Sequence, residues 1–171
     1  MTIAFQLNGA AVEVRASSES ASLADVLRDE LHAKSVHLGC EQGVCGACTV
    51  LVDGRVARSC LMVAGQAEGR SISTSEGAST RHPELWPAIE SAFVERGAFQ
   101  CGFCTSGMVA CLEELLLAGE PVTRSDVLEL LSGQICRCTG YLPILEVFDD
   151  VLAKAGLLAA EHRAGASDVA R

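Results

Sequence analysis

Four cysteines within the first 60 residues have a spacing suited to holding iron and sulfide. They are Cys40, Cys45, Cys48 and Cys60. The first three follow the C-x4-C-x2-C pattern of plant-type 2Fe-2S sites, in which closely spaced thiolates converge on one cluster. Gly43 and Gly46 lie among them and tolerate the positive φ angles that let backbone N–H groups turn toward the sulfurs. We therefore expect a 2Fe-2S cluster in this loop.

A structural zinc site is the main alternative for four cysteines. Zinc sites usually join two similar, closely spaced pairs of ligands, and the first set departs from that pattern. A second set does consist of two close pairs, Cys101 with Cys104 and Cys136 with Cys138. Its spacing suits zinc or a cluster, and the cluster expected in the first set favours a cluster here too. The C-x-x-C pair could also be a redox dithiol, but the βαβ setting of that motif is missing.

The remaining cysteine and the histidines are not expected to bind metal. Cys111 shares one helical face with Met108, Leu112 and Leu115, which is typical of a buried core thiol. The four histidines lack the pairing that a Rieske centre requires. Trp86 and Tyr141 are interpreted as packing residues.

The composition argues against nucleic acid as a partner and favours another protein. The net charge is -9, and no run of Lys or Arg forms a basic stripe, so nucleic acid is not an expected partner. A mean hydropathy of +0.30 is high for a small protein and indicates a large surface buried against a partner. The first residues carry no export signal, and no segment has the 18 apolar residues of a membrane span, so we expect a cytoplasmic protein. Nine cysteines in a reducing compartment favour metal binding over disulfides.

Residues 1–75 are predicted to form a compact α+β domain. Alternating apolar residues flank Asn8-Gly9 and again Asp53-Gly54, and such pairs indicate two β-hairpins. Ser22 and Asp25 have capping-box spacing at the start of a helix over 22–31, and residues 71–74 suggest a last strand. Residues 76–82 contain almost nothing to bury and are predicted to be a linker.

Residues 83–156 are predicted to form a small bundle of four helices. Gly97, Gly119, Gly133 and Gly156 each follow a stretch with helical periodicity. The similar stretches 100–107 and 134–141 suggest an internal repeat, with Cys104 and Cys138 facing each other from two helix N-termini. Residues 157–171 are treated as a C-terminal tail. Two clusters in so small a chain suggest stepping stones for single electrons rather than structural supports.

The combined motifs closely resemble those of the iron-sulfur subunit of the molybdenum hydroxylases, the xanthine dehydrogenase family. They are GCEQGVCGACTV at 39–50, RSC at 58–60, QCGFCTSGM at 100–108 and CRCTGY at 136–141. The resemblance extends over about residues 2–155 and implies an N-terminal plant-ferredoxin-like β-grasp domain followed by an all-α four-helix bundle domain, each with one 2Fe-2S cluster. It also implies that Gln100 hydrogen-bonds a molybdopterin cofactor and that Cys138 is the cluster ligand nearest to it.

The same resemblance implies an electron-transfer subunit of a larger oxidoreductase. Substrate is oxidised at molybdenum on a large molybdopterin-binding subunit, and electrons pass through the two clusters to FAD, usually on a medium subunit, or to another acceptor. The chain shows no molybdenum-binding or flavin-binding segment, so these sites are expected on partners. Two alternatives remain: a freestanding two-cluster ferredoxin-type shuttle, and a zinc-held interaction module with no redox role.

Overall fold

A five-stranded mixed sheet forms the N-terminal half of the computed structural model, which describes residues 2–15 and 20–159. The strands are β1 (Thr2–Leu7), β2 (Ala10–Arg15), β3 (Thr49–Val52), β4 (Arg55–Arg58) and β5 (Ser71–Ser73). Their order in the sheet is β2-β1-β5-β3-β4. Only the β1–β5 pair is parallel among these strands, and the other neighbours are antiparallel.

Both predicted hairpins are confirmed. The β1–β2 turn has Asn8 at φ 51° and Gly9 at φ 86°, and the β3–β4 turn has Asp53 at φ 51° and Gly54 at φ 82°. Two consecutive positive φ angles match the right-handed twist of the flanking strands, which is why Asn-Gly and Asp-Gly are favoured there. The cysteine loop precedes β3 and Cys60 follows β4, so the second hairpin positions the ends of the first cysteine set.

The predicted helix over 22–31 begins as expected and then widens. Ser22 and Asp25 form the reciprocal capping box, and α1 (Leu23–Asp25) is a single α-helical turn. It continues as a π-helical segment, Val26–Glu30, in which Leu31 N–H bonds to the carbonyl of Val26. Leu23 and Leu27 are fully buried in the N-terminal core. The apolar spacing therefore predicted the buried face but not the change of helical pitch.

Residues 76–82, which are predicted to be a linker, contain short helical segments. The chain forms a 3-10 turn at Ser75–Gly77 and the short helix α2 (Ala78–Arg81), with Ala78 fully buried. Arg81 explains why this segment is folded. Its guanidinium hydrogen-bonds to a buried carboxylate in the C-terminal half of the chain. The domain limits 1–75 and 83–156 stay predictions.

Four longer helices enclose the second core of the described chain. They are α3 (Trp86–Glu95), α4 (Thr105–Ala118), α5 (Arg124–Leu131) and α6 (Leu142–Lys154). Helix α3 begins three residues after Pro83, with Pro87 in its first turn, and the predicted Thr123–Asp126 capping box starts α5. Met108, Leu112 and Phe148 are among the fully buried core residues. In residues 2–15 and 20–159 no helix is long and apolar enough to cross a bilayer.

The predicted C-terminal tail lies partly outside the described residues. Its first residues return to the helical half, where the N–H of Val122 donates to Leu157 O at 2.7 Å and the N–H of Ala159 donates to Val122 O at 2.8 Å. The remainder, residues 160–171, lies beyond the described part.

Candidate iron-sulfur sites

The first cysteine set lies on the loop before β3 and just after β4. The Cys40 sulfur accepts the backbone N–H groups of Gln42 at 3.4 Å and Cys45 at 3.3 Å. These hydrogen bonds, the one from Gln42 above all, lower the pKa of the Cys40 thiol to about 6 because they stabilise its thiolate. Burial and a hydrogen bond with Cys48 instead raise the pKa of Cys60 to about 11. The loop therefore already presents one thiolate with inward-pointing backbone donors.

The first four thiols associate as two pairs. Cys40 is hydrogen-bonded with Cys45, and Cys48 with Cys60. Gly39 and Gly43 keep the loop tight, since a Cβ on Gly39 would lie 3.2 Å from the Cys45 sulfur and one on Gly43 would overlap the Leu61 side chain. Gly43 has a φ of 76°, as the positive-φ expectation required.

The second cysteine set also forms two pairs, one buried and one exposed. Cys101 and Cys138 are exposed, and their sulfurs lie 3.6 Å apart. Cys104 and Cys136 are buried and hydrogen-bonded, and burial together with this bond raises the pKa of Cys104 to about 12. All four line one cavity of about 290 Å³, together with Phe103, Ile135 and Arg137.

This arrangement fits the donor requirements of a 2Fe-2S core. Such a core contains two irons bridged by sulfides, and each iron takes two protein thiolates. Each cysteine set supplies two thiol pairs. In the described part of the chain no group of three or more His, Cys, Asp or Glu side chains is placed to hold a single metal ion.

The relative placement of Cys104 and Cys138 differs from the sequence prediction. Cys104 does precede α4 directly, as its N-cap residue. Cys138, however, lies before the N-cap Tyr141 of α6 and contacts Cys101. The loop over residues 134–141 folds back on itself before the helix begins, which is why the two similar motifs do not place their cysteines alike.

The two cysteine loops touch each other directly. The N–H of Ile135, beside Cys136, donates to the carbonyl oxygen of Cys45 at 2.9 Å. A second contact joins His37, just before the first cysteine loop, to Phe103 in the second. Their rings stack with centroids 4.6 Å apart, and His37 Nδ1 lies 2.9 Å from the Phe103 carbonyl oxygen. The backbone near each set is thus held against the other by contacts on both sides.

Gln134 fills the junction between the loops, a role that sequence reasoning missed. Its side chain is 2% exposed. In the amide orientation that satisfies its neighbours, Nε2 donates to Gly46 O at 2.9 Å and Oε1 accepts from Thr49 Oγ1 at 2.9 Å and Arg58 Nη1 at 3.0 Å. The sulfur of Cys111 lies 3.1 Å from the same amide group. Cys111 is therefore a buried thiol, as predicted, but it packs against a polar group.

Two residues of the second loop also have roles beyond those assigned from sequence. Tyr141, interpreted as a packing residue, accepts the Cys136 N–H at 2.9 Å with its hydroxyl and donates to Gln134 O at 3.2 Å. Thr139 Oγ1 lies 3.1 Å from the Cys136 sulfur. Burial alone would raise the pKa of the Cys136 thiol, but hydrogen bonds from Thr139 and from the Cys138 N–H outweigh burial and lower it.

Gln100 lies beside the exposed cysteine pair. Its Nε2 donates to the carbonyl oxygen of Cys138 at 3.1 Å, and its side chain is exposed. Phe99 and Phe103, on either side of this position, are 43% and 45% exposed. The outer thiol pair therefore lies at the surface, next to an amide and two aromatic rings that the chain leaves uncovered.

Two family models match consecutive parts of the chain. Residues 5–74 match a 2Fe-2S iron-sulfur cluster binding domain, and residues 74–149 match a 2Fe-2S binding domain. Each matched region contains one complete cysteine set.

Similar proteins cover most of the chain. A caffeine dehydrogenase subunit gamma from Pseudomonas sp. strain CBB1 is 45% identical over 152 residues, which cover 87% of this chain and 89% of that protein. A probable xanthine dehydrogenase subunit from Bacillus subtilis strain 168 is 41% identical over 135 residues, covering 79% and 76%. The crystal structure of quinoline 2-oxidoreductase from Pseudomonas putida 86 matches with a TM-score of 0.80 and 43% identity, covering 91% of this chain and 94% of that one.

Proposed function

Because the chain belongs to the iron-sulfur subunits of the molybdenum hydroxylase family, which includes xanthine dehydrogenases, we propose that it relays single electrons between two 2Fe-2S sites. The ligands of the first site are Cys40, Cys45, Cys48 and Cys60, and those of the second are Cys101, Cys104, Cys136 and Cys138. The chain is in this sense the iron-sulfur component of an oxidoreductase complex. When bound, each cluster supplies a centre that accepts and returns one electron.

The hydrogen bond from Ile135 to Cys45 is the observation that carries this proposal. Cys136 is joined covalently to Ile135, whose N–H donates to the carbonyl of the ligand Cys45 at 2.9 Å. A ligand of one site is thus linked to a ligand of the other through two short peptide segments and one hydrogen bond. A structural support would not require its two sites to be joined in this way, whereas an electron relay benefits from it.

The two ends of the relay are proposed to face different partners. The second site turns its exposed thiols and Gln100 outward, and this end would meet a large molybdopterin-binding subunit, with Gln100 hydrogen-bonding the pterin. Val44 and Leu61, beside the first site, are 59% and 60% exposed, and this end would meet a medium FAD-binding subunit or another acceptor. Apolar surface at both ends supports burial within a complex. We further propose a cytoplasmic location and a bundle arrangement of the four helices α3 to α6.

Co-expression with the adjacent reading frames tests the proposal. A stable complex that contains molybdenum and about four irons per copy of this chain, with two EPR signals on reduction, would support it. Purification of the iron-loaded chain alone, without stable partners, would favour the freestanding shuttle. A colourless chain containing zinc would overturn both.

Co-expression of a Gln100→Ala variant tests the assignment of the second site to the molybdenum partner. Both iron-sulfur signals should remain, while the molybdenum signal should change because the pterin loses a hydrogen-bond donor. An unchanged molybdenum signal would contradict the role of Gln100.

A further inference from the structure

We propose that the Thr139 hydroxyl donates a hydrogen bond to the Cys136 sulfur and thereby raises the reduction potential of the second site, with Tyr141 as the residue that orients it. This inference rests on the proposed cluster at that site. It assigns to Thr139 and Tyr141 a tuning role that is separate from ligation.

The direction of the hydrogen bond follows from the neighbours of the hydroxyl. Thr139 Oγ1 lies 3.1 Å from Cys136 Sγ and 3.2 Å from the backbone nitrogen of Tyr141. The Tyr141 N–H is a donor, so the hydroxyl oxygen accepts it and keeps its single hydrogen for another partner. A cysteine that ligates iron is a thiolate without a proton. The hydroxyl hydrogen must therefore point to the sulfur.

Tyr141 holds this geometry at a conformational cost. Its φ is 69°, a conformation that residues with a side chain rarely adopt because it is strained. The preceding residue, Gly140, also has a positive φ of 71°, and the Tyr141 N–H donates to Thr139 Oγ1 at 3.2 Å. The Tyr141 hydroxyl meanwhile accepts the Cys136 N–H at 2.9 Å and donates to Gln134 O at 3.2 Å. One residue thus fixes both the hydroxyl beside the sulfur and the backbone of the ligand.

A hydrogen bond at this sulfur affects the oxidised and reduced states differently. Reduction adds negative charge to the cluster and its thiolates, and a donor stabilises the more negative state more strongly. Cys136 also belongs to the buried thiol pair, where screening by water is weak and a single donor has a larger effect. Removal of the hydroxyl should therefore make the second site harder to reduce.

A redox titration of the co-expressed complex, followed by EPR, tests this inference. The signal of the second site is identified as the one that Cys136→Ser abolishes. Thr139→Val should lower the equilibrium constant for reduction of that signal about tenfold, a shift of about 59 mV for one electron. Thr139→Ser keeps the hydroxyl and should restore the wild-type value. Tyr141→Phe keeps the backbone N–H that Thr139 accepts, so it should keep the hydrogen bond to the sulfur and a potential close to that of wild type.

Thr105→Val is the matched control. Thr105 follows Cys104, a ligand of the same site, and its hydroxyl oxygen is buried without a hydrogen-bond partner in the described part of the chain. This variant makes the same chemical change beside the same site and should leave the potential unchanged. An equal shift in Thr105→Val and Thr139→Val would overturn the inference.

The outcomes also separate this inference from the proposed function. If Thr139→Val keeps the iron content and both EPR signals but shifts neither potential, the tuning role is wrong and the relay stands. If the wild-type complex contains no iron, the proposed function itself fails. Should Thr139→Val lose iron, Thr139→Ala provides the same comparison with a smaller side chain, and an unshifted potential in it would overturn the tuning role.

Discussion

The backbone N–H of Ile135 donates to the carbonyl oxygen of Cys45 at 2.9 Å, so the two cysteine loops meet through main-chain atoms. Gln134, the preceding residue, is buried in the same junction and bonds to Gly46. Among substitutions of Ile135 only proline would remove this N–H, but a side chain added nearby can force the two loops apart. Gly46 is the position where this can be done with the least chemical change.

Gly46→Ala should separate the loops and destabilise the protein. A Cβ at this position would overlap the Gln134 amide and lie 2.6 Å from Gly133 O, at a φ of 79°. We expect a loss of about 2 kcal/mol beyond the cost of the backbone conformation, and a weaker magnetic interaction between the two reduced sites. Thermal unfolding and EPR of the doubly reduced protein measure the two effects.

Gly54→Ala is the control for that variant. Gly54 has a φ of 82°, but a Cβ there would meet nothing within 4 Å. It should show only the conformational cost, about 1 to 2 kcal/mol, with unchanged EPR spectra. If both variants lose the same stability and keep the same spectra, the Gly46 contact does not control the junction.

Single-ligand variants should remove the two EPR signals separately. Cys45→Ser should disturb the first site and Cys136→Ser the second, because a missing thiolate removes a bond to iron and part of the folding energy. Loss of both signals, or of neither, in each variant would count against two separate sites. Iron content and EPR on reduction are the measurements.

Cys111→Ala should keep both signals and lose stability. Burial raises the pKa of this thiol to about 11, and its sulfur contacts the Gln134 amide outside the cavity that the second cysteine set lines. The smaller side chain leaves a cavity and removes the sulfur beside the Gln134 amide, at a cost of about 1 to 2 kcal/mol. Loss of either EPR signal from this variant would show that Cys111 has a ligand role.

Arg81→Gln should destabilise the protein in a pH-dependent way. Glu113 is 1% exposed, and Arg81 Nε and Nη2 donate to its two carboxylate oxygens at 3.0 and 2.9 Å. Without Arg81 a buried carboxylate is left uncompensated, which costs about 3 kcal/mol near neutral pH. Thermal unfolding gives the loss relative to wild type.

The pH dependence has a definite sign. Burial raises the pKa of Glu113 in the folded state, and Arg81 opposes that rise. In Arg81→Gln the folded state therefore keeps a proton that the unfolded state has released, and stability falls as pH rises through this window. The gap to wild type should be smaller at about pH 5 than at about pH 8. Adding Glu113→Gln should remove most of this dependence; an unchanged gap at both pH values would contradict the argument.

Cluster assembly should be favoured at higher pH. In the iron-free chain burial raises the pKa of Cys104 to about 12 and of Cys60 to about 11, so both thiols carry protons that ligation must release. Cys40, with its pKa lowered to about 6, has already lost its proton near neutral pH. Reconstitution with iron and sulfide at about pH 8.5 should reach a higher yield than at about pH 7. Equal yields would show that thiol deprotonation does not limit binding.

Local chemistry explains which elements could be predicted. The turns at Asn8-Gly9 and Asp53-Gly54 and the capping boxes at Ser22 and Thr123 depend on residues within a few positions of each other, and all four are present. The close cysteine spacings are equally local, and the assignment of the eight cysteines to two clusters stays a prediction. These features need no knowledge of the rest of the fold.

The features that could not be predicted depend on contacts between distant residues. Gln134 has no signal in its neighbouring sequence, because its partners Thr49 and Arg58 lie in the other half of the chain. Residues 76–82 looked like a linker because the partner of Arg81, Glu113, is 32 positions away. The role of Tyr141 depends on a positive φ, which residues other than glycine rarely adopt and a sequence does not reveal.

Gln134 hydrogen-bonds to a part of the protein that the ribosome makes much earlier. Its partner Thr49 precedes it by 85 positions. A nascent chain that ends before Gln134 leaves the carbonyl of Gly46 and the side chain of Thr49 without this partner. The backbone around the first cysteine set therefore gains its last polar partner only when the second loop has been made and folds against it.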